Sequence, residues 1–536
     1  MPDPVDAPTK PCHNCRRQRL RCDRSYPHCN KCTSLGKQCL GYGKLFRWTG
    51  AVASRGKLAG KTSSAAIHGQ EDPGTSPASY PEVRSPSSSP TTSSFFSDAS
   101  TGSSDSQLQL ARRRSPSSEP NCANQYVLID PLFQDLSSTH RYYLSYYKDR
   151  FCQDLVSQDV NNANPFRALL PLTRAHPLLQ HVVVAASAAH MSNQVRAHIA
   201  FAPKGSSTAI GYQQTSDRAL RDALVAKQKA LGMMSAAIQD LDMLGGDVAL
   251  AAALFFVNIE LIESGKHGWR AHLEGAANIM ALLQPSSASD EALRDYMLSD
   301  CFIYFILASA FMPVAQQMHL KFKIEPEKIP QILGRAAHNS YFCCPPEILQ
   351  ILHAASELAN LPPEENQSEE TSKAGLELLQ RAQSFDVIAW ASDVLNIPSL
   401  KDVPIVSRIH AGSAHRVALC LYILQAVPSL GQVVGPELRE QLGQDIFSHL
   451  DKIPDHDPNF KATTWPTFIA GAEAYGQPRQ DWIMNRLQRL VVSCPWGFLY
   501  TAMEALPVIW GMDTKDSGAR NWLQALKDPN LNFLIV

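Results

Sequence analysis

The chain has 536 residues, of which 44% are hydrophobic and 18% charged, so it holds enough apolar surface for sizeable cores. Its net charge of -1 hides an asymmetry: residues 1–61 carry 13 Lys and Arg against 3 Asp and Glu, and the rest of the chain is acidic. A basic head on an acidic body points one end at nucleic acid and gives the other a different task. The opening Met1-Pro2-Asp3-Pro4-Val5-Asp6 has neither a basic start nor an apolar run, so no secretory signal is expected. The apolar stretches 248–259 and 301–316 fall short of the ~20 residues that span a bilayer; no membrane partner is expected, and thiols should stay reduced.

Residues 1–40 hold Cys12, Cys15, Cys22, Cys29, Cys32 and Cys39, two copies of C-x2-C-x6-C joined by six residues that include Pro27. Thiolates bind zinc tetrahedrally, and a closed structural site takes four protein ligands. Six sulfurs cannot fill two separate sites of that kind, but they can hold two zinc ions if two of the sulfurs bridge. Each repeat is then a small loop-helix hook. The C-x2-C step puts two sulfurs on one turn, and the x6 return brings back the third. A disulfide knot would need an oxidising compartment, and two independent zinc knuckles would each lack a ligand. His13 and His28 read as surface residues, because the thiolates complete the set.

This pattern resembles the signature of fungal binuclear zinc cluster transcription factors. All six positions are filled, and Pro27 stands where that family's interhelical loop usually carries proline. The resemblance implies that Cys12 and Cys29 bridge the metals, that Cys15 and Cys22 complete one zinc, and that Cys32 and Cys39 complete the other. It implies two zinc ions per chain as cofactor, double-stranded DNA as partner and the nucleus as compartment. The two hooks differ in charge. Arg16, Arg17, Gln18, Arg19 and Arg21 lie between Cys15 and Cys22, whereas Lys37 is the single basic residue between Cys32 and Cys39. The first hook therefore carries the electrostatic footprint, and arginine suits bidentate contact with guanine O6 and N7. By resemblance the base-reading position is Arg19, with Gln18 beside it, on CGG-type half-sites; the family often has lysine at that position. Arg16, Arg17 and Arg21 suit phosphate contacts, which position without specifying.

Residues 41–61 form a basic extension with Tyr42, Phe46 and Trp48 interleaved, suited to packing on the cluster, to phosphate contacts or to nuclear import. Glycines interrupt it and no a/d heptad persists, so a homodimer is compatible with the sequence but no coiled coil supplies it. Residues 62–124 are rich in Ser, Pro, Thr and Gly and cannot bury enough surface to offset their ordering entropy; a disordered linker is expected. It carries Ser-Pro steps and Arg112-Arg113-Arg114, a second candidate import signal.

From residue 125 to 536 long apolar-periodic stretches alternate with Pro/Gly breaks, which predicts an all-α domain. Tyr143, Tyr147, Phe151 and Leu155 recur every four residues after Ser137-Ser138-Thr139 as caps. Further helices are expected over 176–197, 215–240, 247–263, 269–283, 290–312, 346–359, 372–395, 407–427 and 436–450. Residues 247–263 are apolar nearly all round, as in a buried central helix. The segment 142–191 with Asn164-Pro165-Phe166-Arg167, and Trp269, His272 and Gly275-Ala276 in a W-x2-H-x2-G-A pattern, resemble the fungal-specific transcription factor regulatory domain. That implies transcription machinery or co-regulators as partners, and a small-molecule effector. There is no H-E-x-x-H, G-x-S-x-G, Walker A or G-x-G-x-x-G pattern, so no enzyme is expected. The remaining cysteines read as buried free thiols, and His267 and His272 as structural histidines.

The fold expected is a small metal-stabilised two-helix zinc cluster plus a large all-α regulatory domain, joined by a disordered linker. The function expected is sequence-specific regulation of RNA polymerase II transcription, of a metabolic or secondary-metabolite gene set. The alternative is a helical ligand-sensing or interaction protein whose zinc cluster is structural only.

Overall fold

The computed structural model describes residues 10–18, 20–25, 29–35, 37, 39, 133–160, 164–199, 207–238, 245–283, 291–312, 328–512, 521–527 and 533–536. The chain divides into two units, residues 1–118 and 119–536. Arg19, Pro27, His28, the basic extension 41–61, the expected linker 62–124, Cys122 and Pro285 lie outside the described residues.

In the first unit the described elements are two short helices, His13–Arg17 and Asn30–Ser34. In the second, the described residues form helices joined by turns, with no strand among them and one isolated bridge, Val156 to Ser340. At its centre runs Gly246–Glu263, buried at every residue from Val248 to Ile262. Against it pack Pro177–Ile199, which pairs antiparallel with Ser207–Ala237, and Trp269–Leu282. Ser207–Ala237 turns Ala219, Ala223, Ala226 and Ala230 inward, a stripe of small side chains that lets the pair approach closely. A second buried helix, Val406–Ala426, is surrounded by Pro346–Leu358, Glu369–Ser384, Leu430–Asp451 and Thr464–Ala472. The expected cap at Ser137 forms, its Oγ accepting from the His140 N–H at 3.2 Å.

Several boundaries differ from the periodicity. The helix expected over 372–395 is cut into Glu369–Ser384, Val387–Asp393 and a 3-10 turn, Val394–Asn396. Asp386 causes the break: its Oδ1 accepts from the Ile388 and Ala389 N–H groups at 3.0 and 2.9 Å and starts a new helix. The helix expected from 436 begins at Leu430, with a kink at Gly435, whose φ of 76° admits Pro436 directly after it. Helices Leu169–Ala175, Ile329–Ala336, Thr464–Ala472, Gln477–Ser493, Phe498–Trp510 and Trp522–Leu526 add to the expected set.

The W-x2-H-x2-G-A segment proves structural. Trp269 is buried, and the His272 ring stacks on Phe256 at 4.9 Å. Glu260 takes Lys227 at 2.8 Å and faces His272 at 3.8 Å. A Cβ on Gly268, whose φ is 76°, would lie 2.5 Å from that carboxylate. The thiols of Cys152, Cys301, Cys343, Cys344 and Cys420 are buried, and burial pushes Cys152 and Cys420 up to about 12.

The tightest approach is at Gly497, whose N–H donates to the Ile262 carbonyl at 2.9 Å. A Cβ there would stand 2.4 Å from the Glu263 carbonyl oxygen. Gly497→Ala is expected to lower stability by about 1–3 kcal/mol, because backbone must shift to admit the methyl group. Urea unfolding midpoints equal to wild type would show that Phe498–Trp510 does not dock this closely.

Candidate metal centre

Each hook helix opens on the first cysteine of its C-x2-C step. Cys12 Sγ accepts from the Cys15 N–H at 3.5 Å, and Cys29 Sγ from the Cys32 N–H at 3.4 Å. The third cysteine of each repeat folds back onto the first: the Cys12 N–H donates to Cys22 Sγ at 3.3 Å, and the Cys29 N–H to Cys39 Sγ at 3.4 Å. The sequence repeat is thus a repeat of hydrogen bonds. Across the two hooks, Cys12 and Cys32 sulfurs lie 3.7 Å apart, Cys15 and Cys29 3.7 Å, and Cys15 and Cys32 4.0 Å.

Two thiolates that share a zinc, each about 2.3 Å from it, stand ~3.8 Å apart, and the sulfurs of the two hooks approach one another on that scale. Cys12, Cys15, Cys29 and Cys32 place their sulfurs within 4.8 Å of one another, and a second grouping joins Cys29 to Cys22 and Asp23. Cys29 is common to both groupings, whereas Cys12 stands in the first. Cys22 and Cys39 pack at the rim.

Burial pushes the Cys12, Cys15, Cys29 and Cys32 thiols above their ordinary range. Cys22 differs: burial raises it, but N–H groups of Cys12 and Arg24 outweigh that and bring it down to about 7. Thiols buried together become thiolates only against opposing charge, which a divalent cation supplies. One supporting residue escaped sequence reasoning. Asp23 Oδ2 accepts from the Asn30 N–H at 3.0 Å and Oδ1 from the Lys31 N–H at 3.2 Å, so the interhook loop caps the second helix. Ser25 also donates to it, and these bonds hold the carboxyl below its usual range. The available signal was an acid placed between one hook and the next helix.

On the basic segment Arg16, Gln18 and Arg21 are exposed. The backbone of Arg17 ends the first helix. Lys37 Nζ reaches across the hooks to Gln18 Oε1 at 3.4 Å, so the cation between Cys32 and Cys39 stands beside the first hook's polar segment.

Comparison with known proteins defines the class. Residues 10–49 match the fungal Zn(2)-Cys(6) binuclear cluster domain, and residues 142–536 match the fungal specific transcription factor domain. The chain belongs to the family of fungal-specific transcription factors with a binuclear zinc cluster: a DNA-binding transcription regulator that binds two zinc ions, and not an enzyme. It is similar to the acriflavine sensitivity control protein acr-2 of Neurospora crassa, with 33% identity over 98% of this chain and 97% of that protein. No solved structure matches it. Among the described residues no helix is long and apolar enough to cross a membrane.

Proposed function

We propose that this regulator acts in the nucleus on RNA polymerase II promoters through CGG-type half-sites, controlling a metabolic or secondary-metabolite gene set. Similarity to the acriflavine sensitivity protein adds genes that set tolerance to that compound. Cys12 and Cys29 bridge the zincs, with Cys15 and Cys22 on one metal and Cys32 and Cys39 on the other. Arg19 and Gln18 read bases; Arg16, Arg17 and Arg21 hold phosphates. The cluster occupies residues 1–40, the basic extension 41–61, a Ser/Pro-rich linker 62–124 and the regulatory domain 125–536, which takes co-regulators and a small-molecule effector. The observation that carries this reading is the nest of four buried sulfurs with an arginine-rich return between Cys15 and Cys22.

Binding-site selection with the full chain, followed by isotherms at several salt concentrations, tests it. Arg19→Ala should cost about 1–3 kcal/mol on the selected site and flatten base preference there. Arg16→Ala should weaken all duplexes similarly and reduce the salt slope by about one, since a phosphate contact releases counterions without reading sequence. Lys37→Ala should change base preference less than Arg19→Ala. If Lys37→Ala relaxes preference while Arg19→Ala leaves it intact, the wrong hook has been assigned to the groove.

A further inference from the structure

Two hooks that share metals must also hold a fixed angle to each other, and the chain between them is short. The first hook ends at Cys22, and the second helix, Asn30–Ser34, starts after Cys29. Asp23 follows Cys22 directly, and its side chain reaches forward onto that helix. Oδ2 accepts from the Asn30 N–H at 3.0 Å and Oδ1 from the Lys31 N–H at 3.2 Å. Ser25 donates to the same carboxylate, and the Asn30 N–H also donates to Ser25 Oγ at 3.1 Å. Cys29 Sγ takes the next N–H, that of Cys32. The opening N–H groups of the helix, which have no partner within it, are thus shared between Asp23, Ser25 and a metal-ligand sulfur.

Between Asp23 and Ser25, Arg24 has a φ of 60°. That is the left-handed region, which a residue with a side chain holds only where its surroundings fix it. Here both neighbours of Arg24 are bound to the same helix end. The bend also brings the Asp23 carboxylate within 4.8 Å of the Cys22 and Cys29 sulfurs, the last of one hook and the first of the next. Lys37 meets Gln18 across the same two hooks, so a rotation between them would move the polar segment beside the arginines.

We propose that Asp23 is a positioning residue for the metal centre: it fixes the second hook against the end of the first, aims the Cys29 sulfur, and through that angle supports DNA binding while touching neither zinc nor DNA. Groups that orient a metal ligand are worth about 10–100-fold in metal affinity. The DNA part rests on the first hook lying in the groove; the zinc part does not.

The test uses the full-length protein, with pyridylazoresorcinol, a coloured zinc chelator, as competitor. Asp23→Ala should weaken zinc affinity about tenfold or more. Asp23→Asn should stay within about threefold of wild type, because asparagine caps helices about as well as aspartate and keeps an accepting oxygen. Recovery of Asp23→Ala without zinc, beside Asp23→Asn carrying two ions, supports the proposal equally. With zinc saturating, Asp23→Ala should bind the selected duplex about threefold or more weakly, at an unchanged salt slope, since no phosphate contact is lost. Loss of a negative charge alone would instead favour a polyanion, so tighter duplex binding by Asp23→Ala would overturn the proposal. Wild-type zinc affinity in Asp23→Ala would overturn it too, as would Asp23→Asn failing as Asp23→Ala does, since the carboxylate would then act by its charge or as a direct ligand. Zinc competition is read without DNA, so failure there is distinguishable from a wrong choice of the hook that enters the groove.

Discussion

Serine at Cys29 is expected to release both zinc ions, whereas serine at Cys39 should disturb one. Cys29 stands in both groupings of candidate ligands, and Cys12 is its counterpart in the repeat, so in the proposed arrangement each would serve two metals at once. Loss of a bridging thiolate leaves three ligands for each zinc, where a closed site needs four. Structural zinc in small modules supplies about 10–16 kcal/mol of folding free energy, so metal loss and unfolding coincide. The buried thiols make the coupling tighter, because without a cation they resist ionising. Native mass spectrometry of the full chain should show two zincs in wild type and none in Cys29→Ser or Cys12→Ser, with DNA binding lost in both. One zinc in wild type, or one retained in Cys29→Ser, would rule out the bridged arrangement. A chelator should abolish DNA binding while most helical signal survives, since the helices of residues 119–536 hold no zinc-type cysteine grouping among their described residues.

Asp154→Asn should destabilise the helical unit by about 3–5 kcal/mol, the range for removing one partner of a buried ion pair. The carboxylate joins Arg150, His190, Trp496 and, at 3.6 Å, Cys494. Tyr146 secures the far side of His190, with 2.9 Å between its hydroxyl and Nδ1. Burial alone would raise the Asp154 carboxyl, but His190 and Arg150 hold it below the carboxylate range. Its stabilisation is therefore present above the unfolded value of ~3.9 and is lost as pH falls toward the folded one. His190 and His415 act earlier. Burial depresses both in the fold, His415 to about 3. Below ~6.5 the unfolded chain takes up protons that these buried rings refuse, so stability falls with pH from that point. His415 is wedged between Phe342 and Trp465, with Nε2 on the Ala462 carbonyl at 3.0 Å, an arrangement that suits the neutral ring. Urea titrations between pH 7 and 4.5 should show a steady decline that His415→Gln flattens, though from a lower starting stability. A flat wild-type profile would contradict both assignments.

The metal centre was legible because its information is local. Fixed spacing along 28 residues places six sulfurs on two short hooks, and the hydrogen-bond repeat follows from the sequence repeat. Gly246–Glu263 was legible for a different reason, since a helix apolar on all sides can only be central. The break at Phe385 was not, because the apolar period continues across it and a single side chain, Asp386, redirects the backbone. Asp154 was illegible for a third reason. Arg150 stands four residues before it, but His190 and Trp496 come from far along the chain, and periodicity says nothing about which distant groups meet.

The burial of Gly246–Glu263 has a consequence for synthesis. Its far end docks on Gly497, and the turn after it, at Gly265, accepts from the Leu534 N–H at 2.8 Å. At ~5–20 residues per second a ribosome needs roughly 10–50 s to travel from Glu263 to Gly497. For that interval one of the most apolar segments in the protein is outside the tunnel without part of its covering. Nascent chains should therefore depend on a chaperone that shields this helix, and expression at lower temperature or with added holdase should raise the soluble yield more than any change to the zinc module.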